Sequence, residues 1–286
     1  MNGPNLAAVP AVIQSMPKRY GAGGPAEKTF ASVARAGFRA RIWCDTVNDH
    51  DAPPSCFPQI TSLSQWRRTL AIRSFFECLE FMRSTGAPVC AYFQDDIAIT
   101  PHVESEQWSM IFEQLGDEDA VVSLFSNGEA DDCHPDWSLY HNREMRDADF
   151  VDLRVKQITT QYGRSPRTYG AQAYLFTQFA VHQLLERVRP MYLEQTWAPI
   201  DRVVIETLAD RYYTVIPSLV KHIGANDTTL SDGKPCSVSR TRQAPRLFWS
   251  RFDPPIRPSW PAWEAINLDW EAGSPKRPPL TISQMP

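Results

Sequence analysis

The stretch VCAYFQDDIAI, residues 89–99, decides the fold prediction. Its first five residues, VCAYF, are a continuous apolar run, which is typical of a central strand buried on both faces. We therefore predict a strand over residues 89–93, with Gln94, Asp95 and Asp96 at its carboxyl end. Ligands of open α/β sheets bind in the crevice outside the carboxyl ends of the strands. The acidic pair is thus predicted to lie in a ligand site.

Alternating strand and helix patterns surround this stretch. A long helical pattern over residues 64–84 leads into the acidic strand, and the sequence GAP at 86–88 ends it. The chain opens with a strand–helix–strand pattern, which favours a parallel sheet with helices on its faces. We predict an α/β fold with a mixed, mainly parallel sheet flanked by helices. The remaining predicted strands are residues 8–15, 38–44, 120–125, 169–177 and 212–216, and the remaining helices are residues 26–36, 178–189 and 200–211.

Beyond residue 230 the regular patterns give way to a segment rich in Pro, Arg and Trp. We predict one catalytic domain over residues 1–230 and an irregular arm over residues 231–286 that packs on it. Within the arm, residues 240–257 carry arginines interleaved with aromatic residues. Such residues can bind phosphate and stack on bases, or the aromatic rings can pack on the domain while the guanidinium groups stay in water. We favour the second interpretation.

The composition excludes several classes of protein. Of 286 residues, 43% are hydrophobic and 22% are charged, which is ordinary for a soluble globular protein and excludes a disordered or fibrous chain. A net charge of -4 argues against binding nucleic acid over the whole surface. The sequence has no signal-peptide pattern and no run near the roughly 18 apolar residues of a membrane span. We therefore predict a cytoplasmic protein without a membrane span, whose six scattered cysteines are free thiols.

Two adjacent carboxylates at the end of a buried strand need compensation for their charge. Desolvation and mutual repulsion both oppose the ionisation of Asp95 and Asp96. A divalent cation supplies this compensation, because Mg²⁺ and Mn²⁺ prefer carboxylate oxygen and bridge the oxygens of a diphosphate. The alternative is that the two residues form a turn or cap the next helix. The apolar strand before them, and Ile97 and Ile99 after them, favour the cation.

Residues 89–99 resemble the strand and D-x-D-like motif of GT-A glycosyltransferases, especially bacterial oligosaccharide galactosyltransferase-like members with an E-D-D-[IV] motif. Gln94 stands in place of the usual first acid. The resemblance, in motif order, covers about residues 9–229. It implies a GT-A (Rossmann-like) fold and an enzyme that uses Mn²⁺ or Mg²⁺ with a nucleoside-diphosphate sugar, a UDP-sugar being favoured. It also implies Asp96 as the direct metal ligand, and Asp95 as a helper that contacts the ribose, the metal or metal-bound water.

A late segment carries a further candidate metal ligand. Residues 220–224, VKHIG, resemble the late V-x-H-x-G stretch of the same enzymes. The resemblance implies that His222 completes the metal or diphosphate site, with Gly224 allowing the backbone to approach closely. The alternative is a structural histidine that is satisfied within the fold. The order of Asp96 and His222 along the chain favours the ligand role.

Polar residues after the first two predicted strands are candidates for binding the nucleotide. In enzymes of the resembled family, the loop after the first strand receives the nucleotide, and here it carries Ser15, Lys18 and Arg19. The two basic residues could meet phosphate or base, or remain solvated loop charges. Asp45 ends the second strand, where it could bind nucleoside hydroxyls or cap a turn. Arg68, on the long helix, could approach the diphosphate or lie on a solvated face.

Two late segments resemble parts of the donor and acceptor site. Residues 199–201, PID, are similar to a P-[IV]-D segment, and Asp201 is the candidate general base that would deprotonate the acceptor hydroxyl in an inverting transfer. Its alternative role is an ordinary residue of a helix N-terminus. Gly170 and Ala171 are similar to the small residues that line the donor sugar pocket, although a close-packed strand would also need them.

The sequence therefore predicts a metal-dependent glycosyltransferase, a hexosyltransferase that moves a sugar from a nucleoside-diphosphate donor to a hydroxyl acceptor. That acceptor is a glycan, a small molecule, or a hydroxymethylated base in DNA as for phage-type DNA glycosyltransferases. Two other classes stay open, a nucleotidyltransferase and a noncatalytic nucleotide- or glycan-binding protein. A nucleotidyltransferase should show a Gly-rich phosphate loop near the first strand, of which residues 21–24 are only a faint version. The sequence leaves the oligomeric state open.

Overall fold

The protein is described by a computed structural model. The described residues are 4–16, 19, 24–44, 63–99, 103–116, 120–125, 154–157, 170–194, 196, 198–216 and 218–222. Parts of the sequence-based prediction fall outside them, among them Lys18, Asp45, Gly224, the side chain of His222 and the arm at 231–286.

Over these residues the chain forms strands and helices in alternation, joined in places by short 3-10 turns. The strands are β1 (Pro10–Ser15), β2 (Arg39–Cys44), β3 (Val89–Gln94), β4 (Ile97–Ile99), β5 (Val121–Ser123), β6 (Arg154–Gln157), β7 (Ala173–Thr177), β8 (Tyr212–Ile216) and β9 (Val220–His222). The α-helices are α1 (Pro25–Arg35), α2 (Leu63–Thr85), α3 (Ser105–Glu113), α4 (Gln178–Glu194) and α5 (Ile200–Thr207), and the 3-10 turns are Leu6–Ala8 and Ala209–Arg211.

Seven of the described strands form one mixed sheet in the order β2-β1-β3-β7-β5-β8-β6. β1 pairs in parallel with β2 and with β3, and β5 pairs in parallel with β8. β7 runs antiparallel to both β3 and β5, and β6 runs antiparallel to β8. Five of the seven strands therefore point the same way, which confirms the predicted mixed, mainly parallel α/β sheet. β4 and β9 form a separate antiparallel ribbon.

Helices cover both faces of the sheet. Successive strand residues point to opposite faces, so neighbouring residues of one strand belong to different cores. Ile13 and Phe93 belong to a core shared with α1 and α3. Their neighbours Val12 and Tyr92 belong to a second core shared with α2, α4 and α5. β3 is buried on both faces, as its continuous apolar run predicts.

Most predicted elements are present, with shifted ends. Helix α1 starts with Pro25 in its first turn, where the missing N–H is not needed, and it stops before Gly37, which has a φ of +103°. The strand predicted over residues 169–177 starts only at Ala173, because Gly170 has a φ of +109° and breaks the extended conformation. The helix predicted over residues 200–211 is α5 followed by a 3-10 turn.

Four elements escape the sequence patterns: β4, α3, β6 and β9. β4 and β9 have three residues each, which is too short for a period of two to show. Three cysteines within the described chain, Cys44, Cys78 and Cys90, are free thiols, as predicted. None of the helices in the described part of the chain is both long enough and apolar enough to cross a membrane.

Candidate functional site

The acidic turn lies at the carboxyl edge of the sheet, as the sequence predicts. Asp95 and Asp96 join β3 to β4, and they are only 4% and 5% exposed. β3 lies between β1, which runs parallel to it, and β7, which runs antiparallel. The end of β1 and the start of β7 therefore flank the acidic turn, and both contribute residues to the site.

Two residues from the end of β1 contact the carboxylates. The Ser15 hydroxyl donates a hydrogen bond to Asp95 Oδ2 at 2.7 Å. The Arg19 guanidinium forms ion pairs with both acids, with Nη1 lying 3.3 Å from Asp95 Oδ1 and Nη2 lying 2.9 Å from Asp96 Oδ2. Arg19 is itself 6% exposed. The sequence predicts a phosphate or a base as the partner of Arg19. In the structure, Arg19 is a counter-ion of the two aspartates.

One guanidinium does not fully compensate two buried carboxylates. The pKa of Asp95 is raised from 3.8 to about 7, mainly by burial and also by the charge of Asp96. The Arg19 charge and the Ser15 hydrogen bond lower the same pKa without offsetting the rise. Since a raised carboxyl pKa means that the folded site disfavours the ionised form, a further positive charge near Asp95 would be stabilising at neutral pH.

Helix α1 fixes the strand that follows the acidic turn. The Thr29 hydroxyl donates to the Ile97 carbonyl at 2.8 Å and accepts from the Ile97 N–H at 3.0 Å. The Ser32 hydroxyl makes the same two bonds with Ile99, at 3.3 and 2.7 Å. Both hydroxyl residues are buried. They provide hydrogen-bond partners for the backbone N–H and C=O groups on one edge of β4. They also fix the position of the strand that follows the acidic turn.

The other edge of β4 brings His222 to the acidic turn. Ile97 pairs with His222 in the antiparallel ribbon, so the backbone of His222 lies opposite the residue that follows Asp96. More than 100 residues separate the two in sequence. The structure thus places the predicted ligand segment beside the acidic turn, and the ligand role of the His222 side chain stays a prediction.

The start of β7 closes the opposite side of the site. The Gln94 N–H donates to the Gln172 carbonyl at 2.9 Å, which joins the end of β3 to the segment 170–172. Asp201 Oδ2 accepts from the Gly170 N–H at 2.8 Å, and the Tyr174 hydroxyl donates to the Gly170 carbonyl at 2.8 Å. The predicted sugar-pocket residues and the predicted base therefore lie together, beside the end of β3.

Asp201 is anchored by backbone groups on both of its carboxylate oxygens. Besides the bond from Gly170, its Oδ1 accepts from the N–H of Arg202 at 2.9 Å, within the first turn of α5. The residue is partly exposed. The two bonds fix the orientation of the carboxylate, and they show that it supports the loop before β7 as well as the start of the helix.

A row of three glutamines crosses the carboxyl end of the sheet. Gln14 on β1 pairs with Gln94 on β3, which is bonded in turn to Gln172. The Tyr92 hydroxyl donates to Gln14 Oε1, and burial raises the pKa of Tyr92 well above its usual range, so the hydroxyl keeps its proton. Sequence reasoning named Gln94 as a departure from the motif, but it did not identify Gln14 and Gln172 as its neighbours, because these contacts depend on how β1 and β7 pair with β3.

The first turns of α2 lie at the same edge of the sheet. The Gln14 side-chain amide donates to the carbonyl of Ala71 at 3.0 Å, which places Ala71 level with the end of β1. α2 ends at Thr85, before β3 begins at the opposite edge. Arg67 and Arg68 precede Ala71 by about one turn, so they lie towards the carboxyl edge of the sheet. Arg67 is 6% exposed, and the predicted Arg68 is partly buried.

The residues at this edge fit a hard divalent cation. Two adjacent carboxylates offer the oxygen ligands that Mg²⁺ and Mn²⁺ prefer, and the pKa of Asp95 is raised although Arg19 pairs with both residues. Among the described side chains, no group of three or more His, Cys, Asp and Glu could hold a metal ion. Mg²⁺ is often held by one or two carboxylates with substrate phosphates and water completing its shell. The acidic turn, with its two carboxylates, matches this arrangement.

Gln172 is 4% exposed, and its Oε1 is buried with no hydrogen-bond partner among the described residues. An unsatisfied buried polar group costs about 1–3 kcal/mol, whereas an apolar group of the same shape does not. We therefore expect Gln172→Met to raise the free energy of unfolding by about 1 kcal/mol, as measured by urea denaturation. Gln107→Met is the control, because Gln107 Oε1 accepts from the Glu104 N–H at 2.8 Å and this bond would be lost. A destabilised Gln172→Met variant would contradict the expectation.

Comparison with known proteins does not assign the chain to a family. No model of a known protein family matches the sequence, and no curated protein matches it at a significant level. Its function is therefore inferred from the geometry of the site, together with the motif resemblance described above.

Proposed function

We propose that this chain is a metal-dependent glycosyltransferase of GT-A type that transfers a sugar from a nucleoside-diphosphate sugar, a UDP-sugar being favoured, to a hydroxyl acceptor. The observation that carries the proposal is the buried Asp95–Asp96 turn at the carboxyl end of β3. Ser15 and Arg19 reach the same turn from the end of β1. This edge is where α/β sheets bind their ligands. The resemblance of residues 89–99 to the D-x-D-like motif supports the same function.

Asp96 is the proposed direct ligand of Mn²⁺ or Mg²⁺, and His222 is the proposed further ligand. A divalent cation supplies stabilisation of the negative charge that develops on a leaving diphosphate. Asp95 is held by the Ser15 hydroxyl, so one of its oxygens has a fixed direction. In the proposal the other carboxylate oxygen, which pairs with Arg19 in the structure, would contact the metal or the ribose. Arg68 and Arg67 add positive charge at the same edge, where phosphate would bind.

The donor sugar is proposed to lie against residues 170–172, with Asp201 as the general base. Gly170 and Ala171 have little or no side chain, but the Cβ position of Gly170 is packed against Gln172 and Phe125, so the proposed sugar ring would contact another side of this segment. Asp201 is bonded to Gly170 and is partly exposed, which would allow an acceptor hydroxyl to reach it. Transfer of the hydroxyl proton to Asp201 would generate the nucleophile. Attack from the side opposite the diphosphate would invert the configuration of the sugar carbon.

Analysis of the released nucleotide tests this reaction class. The full chain would be incubated with Mn²⁺ and a panel of UDP-, GDP-, CMP- and dTDP-sugars without an acceptor, and the products separated by ion-exchange chromatography. We expect slow release of free nucleoside diphosphate from one donor, UDP from a UDP-sugar being favoured, because water can replace the acceptor hydroxyl. Asp201→Asn should slow this release by about 100-fold or more, which is the lower range of a general base's contribution.

Two outcomes would contradict the proposal. Release of pyrophosphate when a nucleoside triphosphate and a sugar 1-phosphate replace the donor would indicate nucleotidyl transfer. An absence of both binding and hydrolysis across the whole panel would indicate a protein with another function. Glu186→Gln, on the exposed side of α4, is the matched control and should hydrolyse the donor at the wild-type rate.

A further inference from the structure

Arg19 occupies the carboxylate oxygens on which the proposed cation depends. Its guanidinium lies 2.9 Å from Asp96 and 3.3 Å from Asp95, and the whole side chain is buried. A divalent cation on Asp96 would place two further positive charges within a few ångströms of this guanidinium. Buried charges repel strongly at such distances, because little water screens them.

The arginine cannot relieve this repulsion by losing its proton. The guanidinium stays charged at any physiological pH, so it must move away from the carboxylates when a cation binds there. The Arg19 N–H donates to the carbonyl of Met16 at 2.9 Å, which ties its backbone to the end of β1. A rotation of the side chain would therefore leave the guanidinium at the same edge of the sheet.

Charge balance indicates what the displaced arginine would bind. The carboxylates and Arg19 together carry a net negative charge, and a divalent cation alone would make the cluster net positive. A diphosphate arriving with the cation would return the cluster to net negative. It would also present paired oxygens, which the planar fork of a guanidinium matches better than any other side chain does.

We propose that Arg19 is an exchange residue that couples metal binding to nucleotide binding. In the metal-free protein it neutralises Asp95 and Asp96, and it transfers to the phosphate oxygens when metal and nucleoside diphosphate bind together. The cation then binds weakly by itself and tightly with the nucleotide. This inference rests on the proposed function, since it assumes that the acidic turn receives a metal-bound diphosphate.

The test is a Mn²⁺ titration of the full-length protein, followed by electron paramagnetic resonance, with and without UDP. For the wild type, UDP should increase the affinity for Mn²⁺ at least tenfold. Arg19→Met keeps the side-chain length and removes the charge. It should bind Mn²⁺ alone at least tenfold more tightly than the wild type, and UDP should add little. Arg83→Met is the control, because Arg83 pairs with Glu80 on α2 and is 44% exposed, and it should behave as the wild type.

A second variant keeps the inference testable if Arg19→Met does not fold. Arg19→Lys keeps the charge without the planar fork, so Mn²⁺ alone should bind weakly while the gain produced by UDP falls. The inference is overturned if Arg19→Met binds Mn²⁺ no more tightly than the wild type, or if UDP enhances Mn²⁺ binding equally in both proteins. Failure of the proposed function would give a different result, because the wild type would then bind no Mn²⁺ in the presence of UDP or of any donor in the panel. The Arg19 inference would then be wrong as well.

Discussion

Gly170→Ala should strongly destabilise the fold and disrupt the side of the site that contains Asp201. Gly170 has a φ of +109°, a conformation that L side chains rarely adopt. A Cβ there would lie 2.2 Å from Gln172 Oε1 and 2.9 Å from two ring carbons of Phe125. We expect a loss of about 1–3 kcal/mol from backbone strain and about 1–3 kcal/mol from overpacking. Urea denaturation followed by circular dichroism would measure the sum.

The control for this prediction is Gly86→Ala. Gly86 also has a positive φ, +62°, but no heavy atom in the described part of the chain lies within 4 Å of a Cβ built there. Its substitution should therefore cost only the left-handed backbone penalty, about 1–2 kcal/mol. Equal losses of stability in the two variants would show that Gly170 is not closely packed, and the described arrangement of residues 170–172 would then be wrong.

The order of the main elements could be predicted because their signals are local. The apolar run of β3 and the helical spacing of α2 are each contained within one continuous stretch, and the structure has both within one residue of the predicted ends. The position of Asp95 and Asp96 follows from the strand before them. Predicting this part of the site requires no information about residues that are distant in the sequence.

The ribbon of β4 and β9 could not be predicted in the same way. Each strand has three residues, and their pairing depends on a contact between segments more than 100 residues apart. One signal was nevertheless available, because Thr29 and Ser32 lie three residues apart on a helix that is otherwise apolar on that side. Buried hydroxyls on one helix face need backbone partners, and these partners are in β4.

The roles of individual side chains were the hardest part to predict. Arg19 follows the first strand, where a phosphate contact was expected, and its contacts with Asp95 and Asp96 depend on how β1 and β3 pair. The structural role of Asp201 likewise depends on Gly170, 31 residues earlier in the chain. The sequence identifies which residues have side chains suited to binding or catalysis. The tertiary structure determines which of these side chains contact one another.

Binding of UDP in the presence and absence of Mn²⁺, measured by calorimetry for wild type and Asp96→Asn, tests the central claim most directly. The variant keeps the shape of the side chain and leaves the Arg19–Asp95 pair in place, so the fold should persist. We expect the wild type to bind UDP with Mn²⁺ and to lose this binding with a chelator. Asp96→Asn should bind at least ~100-fold more weakly, because several kcal/mol of charge stabilisation are lost. Glu106→Gln, exposed on α3, is the control. Wild-type affinity in Asp96→Asn, or UDP binding that is indifferent to Mn²⁺, would contradict the account.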